Sequence, residues 1–142
     1  MQNIVITDTC FWLGLFALKD DYIIWAEETE NIIKDHIIIF PYPCLYETIN
    51  TKFTRKNRSL IIRFEEYISK PNVLKIDDSE YRENALKNVF EGNRVRGSTH
   101  SFVDSIIREM ILDNNIKIDF LVTINEKDFV DVCNIKNVKI FS

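Results

Sequence analysis

The sequence predicts an α/β fold with a parallel sheet covered by helices on both faces. Three observations point there. Short β-branched runs recur along the chain, stretches with helical spacing separate them, and 142 residues suffice for one domain with a real core. Strands that alternate with helices pair in parallel, because each return to the sheet needs a long crossover. In such sheets ligands bind beyond the carboxyl ends of the strands.

Residues 3–7 carry Ile4, Val5 and Ile6 in a row, the mark of a buried central strand, and Asp8 and Thr9 end it. Residues 11–18 read as a short buried helix, broken by Lys19, Asp20 and Asp21. A second helix is expected over 22–35. Residues 36–40 form the next β-branched run, and Pro41 and Pro43 close it. Pro43 suits a helical first turn, so a helix carrying Glu47 is expected over 44–53. Helical spacing of Leu60, Ile61, Phe64, Tyr67 and Ile68 predicts a helix over 58–69.

A third strand follows at 73–76, then a helix from Ser79 to about Phe90. Residues 92–97 read as a loop holding Asn93, Arg94 and Arg96. Residues 102–112 are strongly helical, 118–122 a fourth strand, 126–133 a short helix and 138–141 a fifth strand.

Composition narrows the function. The formal charge is −4, which argues against coating nucleic acid with a broad basic surface. It leaves room for a site in which metal ions carry the phosphate contact. Cys10, Cys44 and Cys133 are scattered and odd in number, and only His36 and His100 stand available to complete a zinc site. Three buried thiols in a reducing cytosol is the expectation. The apolar run over 11–18 falls far short of the roughly 20 residues of a membrane span. With three Gly and three Pro, no long flexible linker is expected.

The acids carry the chemistry. Asp8 directly follows the first strand, and Asn125 follows the fourth after Thr123, so both belong at the carboxyl edge of the sheet. Glu47 lies on the helix after the second strand and Asp104 on the helix before the fourth. Oxygen ligands converging there suit Mg²⁺ or Mn²⁺, which activate water and stabilise charge on a phosphate. Each acid also has a plainer use. Asp8 suits a helix cap, Ser101 and Asp104 have capping-box spacing, Asn125 and Asp128 resemble a variant of it, and Glu47 suits a solvated helix face.

Four segments, in order, resemble the PIN-domain nucleases, most closely the toxin nucleases of bacterial toxin–antitoxin modules. They are IVITDTCFW with Asp8, PYPCLYETI with Glu47, SFVDSII with Asp104, and DFLVTINEKDF with its threonine turn. The match spans nearly the whole chain. The resemblance implies a three-layer α/β/α sandwich with a five-stranded parallel sheet, a single PIN-like nuclease domain over 1–142. It implies Mg²⁺- or Mn²⁺-dependent endoribonuclease activity, with Asp8, Glu47 and Asp104 holding the metal. Thr9 and Thr123 would support the site. Asn125 stands at the fourth position, where the family often has an acid, with Asp128 three residues later. That departure bears on a second metal more than on activity. Cys10 replaces a frequent asparagine.

Arg94, Arg96 and His100 are further candidates for substrate contact. Phe11, Trp12, Phe16 and Trp25 suit a core or a subunit interface better than base stacking. The resemblance also suggests an RNA substrate, a homodimer, a cytoplasmic setting and an antitoxin whose basic side chain covers the acids. The alternatives are a nuclease of this fold in RNA processing or defence, and a non-catalytic PIN-like binding module. A phosphoacceptor receiver domain fits less well, since Asp8 has no adjacent acid.

Overall fold

Short β-branched segments need neighbours on both sides to satisfy their backbone, and the chain supplies them in one parallel sheet. The computed structural model describes residues 2–17, 19–50, 55, 57–97 and 99–142. Its five strands are β1 (Ile4–Thr7), β2 (Ile37–Pro41), β3 (Val73–Ile76), β4 (Phe120–Val122) and β5 (Lys139–Phe141). They lie in the order β3-β2-β1-β4-β5, all parallel. The sheet grows one way from β1 through β2 to β3, and the other way through β4 to β5. The strand order therefore reverses between β1 and β4, the crevice where open sheets of this kind bind ligands.

Seven helices are present among the described residues: α1 (Thr9–Leu15), α2 (Ile23–Ile33), α3 (Tyr42–Ile49), α4 (Arg58–Ile68), α5 (Arg82–Arg96), α6 (Phe102–Leu112) and α7 (Val130–Lys136). Right-handed crossovers place the helices of the two halves on opposite faces. In line with this, α1 packs on α2 and α3, while α6 packs on α5 and α7. The result is the expected three-layer α/β/α sandwich.

Trp12 centres the core on the β1–β3 side. It is fully buried, stacks on Phe40 with centroids 4.1 Å apart, and meets Phe16, Phe64 and Tyr67. Its Nε1 donates to Thr7 Oγ1 at 2.9 Å, so the indole is buried without an unmet donor. Phe11, Trp12 and Phe16 are thus core residues, with Trp25 half-buried against Phe11. Cys10, Cys44 and Cys133 are free and buried, as expected. No helix among the described residues is long and apolar enough to cross a membrane.

Several boundaries differ from the sequence reading. The expected loop over 92–97 is the last turn of α5, which runs to Arg96 and ends at Gly97 in the left-handed conformation, φ 73°. Gly92 sits inside that helix because Thr99 packs on it: a Cβ there would meet Thr99 Oγ1 at 2.6 Å. Helix α5 also starts at Arg82 rather than Ser79, after the backbone N–H groups of Tyr81 and Arg82 donate to the Asp78 carbonyl. The expected helix over 126–133 divides into a 3₁₀ turn, Glu126–Asp128, and α7. Likewise a 3₁₀ turn, Asp20–Tyr22, precedes α2. Helix α3 has Pro43 in its first turn and ends at Ile49; the remainder expected over 51–53, like Leu18, lies outside the described residues.

Candidate active site

Strand β1 delivers Asp8 to the crevice between β1 and β4. Its backbone N–H donates to the Val122 carbonyl of β4 at 3.0 Å, so the sheet ladder itself fixes the residue. Asp8 is only 5% exposed. Oδ1 accepts from Thr9 N at 2.8 Å and Oδ2 from Thr123 Oγ1 at 2.9 Å. Asp8 does cap α1, and the Thr123 bond adds a tie that a cap alone does not need. The Thr123 hydroxyl also accepts from Asn125 N at 3.1 Å, so the turn after β4 is locked to Asp8.

Glu47 projects from α3, and its Oε1 accepts from the Thr9 hydroxyl. Asp104 lies in the first turn of α6, where its backbone N–H donates to Ser101 Oγ at 3.1 Å. This is the capping bond the Ser101 spacing predicts, and the Ser101 hydroxyl also lies against the Asp104 carboxylate, where its hydrogen bond favours the ionised form. Asp8, Thr9, Glu47, Ser101, Asp104 and Asn125 line one cavity of about 320 Å³. The crossover topology thus brings acids from three distant segments to one edge.

Electrostatics tie them together. Burial pushes the Asp8 carboxyl above its ordinary range, opposed by the Thr123 and Thr9 hydrogen bonds and reinforced by the charges of Glu47 and Asp128. Burial, then the charges of Asp8 and Asp128, push Asp104 up to about 7, with Glu47 contributing less. Cys10, beside Asp8, is raised to about 12 by burial and by that carboxylate. Burial is the main cause of these shifts, and the mutual repulsion of the acids adds to it.

Among the described residues, no three His, Cys, Asp or Glu side chains stand close enough together to hold a metal ion. The acids share a cavity and a field without forming a closed ligand shell, and Glu47 is turned to Thr9. The donor set nevertheless fits a hard divalent cation. Its donors are the carboxylate oxygens of Asp8, Glu47 and Asp104, the ligand type such a cation takes, and a cation there would favour the ionised Asp8 and Asp104 that burial disfavours.

Asn125 is exposed at the cavity rim and makes no side-chain cap for the turn that follows it, so the variant capping box is absent. The 3₁₀ turn instead carries Asp128 inward, half-buried, where its charge acts on both Asp8 and Asp104. His100 precedes α6 rather than sharing its face with Asp104, and its Nδ1 lies 3.8 Å from Asp128 Oδ1. Arg94 and Arg96 occupy the exposed last turn of α5; of the two, Arg96 lines a second cavity, beside His100. Sequence reading missed Lys19 and Tyr22, which also line the acid cavity, with Lys19 Nζ 5.0 Å from the Tyr22 ring centroid. Lys19 is the lone cation among that cavity's described lining residues. Its signal was present in the charged break after the α1 run.

The strand order and the helices on both faces define a three-layer α/β/α fold with a five-stranded parallel sheet. No family model matches the sequence, and no curated protein matches it. Solved structures do. VapC20 of Mycobacterium tuberculosis, described as a sarcin-ricin loop cleaving toxin, aligns with a TM-score of 0.67 at 16% identity, over 89% of this chain and 94% of its own. VapBC2 of Rickettsia felis, solved bound to a DNA fragment from its promoter, aligns at 0.63 and 15% identity, over 96% of both chains. At these identities the likeness establishes the fold.

Proposed function

We propose that this chain is a single-domain, metal-dependent endoribonuclease, the toxin of a toxin–antitoxin module. The observation that carries the reading is the buried Asp8 at the reversal of strand order, sharing a cavity and a field with Asp104 and Glu47. The fold shared with VapC20 and VapBC2 supports it.

Asp8, Glu47 and Asp104 would hold Mg²⁺ or Mn²⁺. The ion would supply neutralisation of phosphate charge and a more acidic water. The protein's own groups do the positioning. Thr123 and the Thr9 N–H fix both Asp8 oxygens, and the Thr9 hydroxyl orients Glu47. Asp128 adds negative charge from the fourth side, and Lys19 offers a cation to the substrate at the rim.

The same charge explains the partner. Three carboxylates facing one cavity with Lys19 as its lone cation attract a guanidinium, so an antitoxin inserting an Arg there would block metal and substrate together. A homodimer and a cytoplasmic setting complete the proposal. One observation favours a second reading, a PIN-like binding module: no three acids form a closed ligand group among the described residues.

The deciding experiment is cleavage of structured and unstructured RNA with Mg²⁺, Mn²⁺ or EDTA, comparing wild type with Asp104→Asn, alongside calorimetric metal titration. Metal-dependent cutting abolished by the substitution is the expected result. Absence of both metal binding and cutting would sink the nuclease reading and leave the binding module.

A further inference from the structure

Beside the acid cavity lies a second one of about 370 Å³, between α5 and α6. That is the size of a small-ligand site. The two cavities share a wall: Ser101 and Asp104 face the acids, while their chain neighbours His100 and Ser105 face the second cavity. His100 also reaches Asp128 at 3.8 Å, so the second cavity abuts the acid group. A nucleotide bound at the acids would send its neighbour toward it.

The lining decides what that neighbour is. Arg108 contributes little free charge, because Asp131 takes both its Nη groups at 2.7 Å. What remains is one guanidinium, Arg96, and one carboxylate, Glu91, on the exposed face of α5. Arg96 has no ion pair among the described residues. Its Nη2 lies over Gly92, 3.0 Å from where a Cβ would stand, so the missing side chain lets the guanidinium lie across the helix.

A phosphate would be drawn to Arg96 but repelled by Glu91. A base with acceptors on one edge and donors on the next satisfies both. Guanine has that pattern: O6 and N7 accept from Arg, and N1–H and the 2-amino group donate to a carboxylate. Such a base must be unpaired to enter. Resting on the endoribonuclease reading for its substrate, we propose that the α5–α6 cavity seats an unpaired guanine next to the cut phosphate. Arg96 reads its O6/N7 edge and Glu91 its N1/N2 edge.

The test uses short single-stranded RNAs identical except at one position, swept along the strand as guanine, adenine, inosine (which lacks the 2-amino group) or 7-deazaguanine (which lacks N7). Binding is read by fluorescence anisotropy with Asp104→Asn protein, and cut sites are mapped with wild type. Guanine at one position should tighten binding about tenfold over adenine. Glu91→Ala should erase the guanine–inosine difference, and Arg96→Ala the guanine–7-deazaguanine difference. Both residues are exposed on a helix, where Ala is well tolerated. Equal binding of guanine and adenine at every position, or preferences untouched by both substitutions, would overturn the proposal. Guanine-selective binding without cutting would instead count against the nuclease reading while upholding the cavity. Cutting without guanine preference would do the reverse.

Discussion

Thr123 Oγ1 donates to Asp8 Oδ2 at 2.9 Å across 115 positions of sequence, joining the ends of β1 and β4 where the strand order reverses. The hydroxyl is buried and makes two bonds, the second accepting from Asn125 N. Thr123→Val keeps the shape and removes both. Such supporting contacts around a metal site are typically worth about 10–100-fold in affinity or activity. Thr123→Val should therefore weaken Mn²⁺ binding and cleavage by about that range, and Thr123→Ser should restore most of both. Calorimetric titration with Mn²⁺ checks it; unchanged affinity in a folded Val variant would refute the role.

The raised carboxyl of Asp104 makes stability depend on pH. Its folded value, about 7, lies above the ordinary 3.8. Between those values the folded protein binds more protons than the unfolded chain, so stability falls as pH rises through about 7. Metal-free wild type should melt lower at pH 8 than at pH 5.5 through this group. Asp104→Asn should melt above wild type at pH 8 in EDTA, with the gap narrowing as pH falls below about 7 and closing only near pH 4. Adding Mn²⁺ should reverse the order, since a bound ligand stabilises by about 2.7 kcal/mol at a hundredfold excess over Kd. Scanning fluorimetry at two pH values, with EDTA or Mn²⁺, reads all of this. An Asn variant less stable than wild type in EDTA at pH 8 would mean the carboxylates are compensated by something else.

Much of this arrangement was legible in the sequence, and the gaps have physical causes. The β-branched runs marked β1 and β2, whose buried central positions tolerate few polar residues. Asp8 was legible from its place after β1, and the Ser101 cap from its spacing to Asp104. The end of α5 was not: Gly92 and the polar residues after it look like a loop, and the reason for glycine is a tertiary contact with Thr99. The choice between Asn125 and Asp128 depended on a 3₁₀ turn that carries one outward and the other inward, which spacing alone does not fix. Glu91 gave no signal, since a carboxylate on an exposed helix is ordinary until Arg96 is placed beside the same cavity.

Trp12 offers a stability test separate from the site. Replacing it with Phe removes the bond from Nε1 to Thr7 Oγ1 and leaves a gap beside Phe40. Buried large-to-small changes combined with a lost hydrogen bond cost about 2–4 kcal/mol. Urea melts of Trp12→Phe should show a loss in that range, with Mn²⁺ affinity of the folded protein retained. A loss below about 0.5 kcal/mol, the usual size for a surface change, would mean that the core repacks around the smaller ring.

Arg108 ties α6 to the segment that carries Asp128. Its Nη1 donates to the Asp128 carbonyl at 2.8 Å, and both Nη groups donate to Asp131. The guanidinium holds the Asp131 carboxyl down at about 2, against 3.8 ordinarily. A depressed carboxyl stabilises the fold above the unfolded value and loses that contribution as pH falls through the folded one. Arg108→Ala should thus melt below wild type at pH 6, and the difference should shrink as pH drops from about 4 toward 2. Releasing the Asp128 carbonyl also frees the 3₁₀ turn, so cleavage should fall in the variant even at temperatures where it is fully folded. Melting curves across pH separate the ion pair from the turn. If Arg108→Ala lost stability but cut RNA at the wild-type rate, the Arg108 bond to the Asp128 carbonyl would have no part in the placement of Asp128 that cleavage needs.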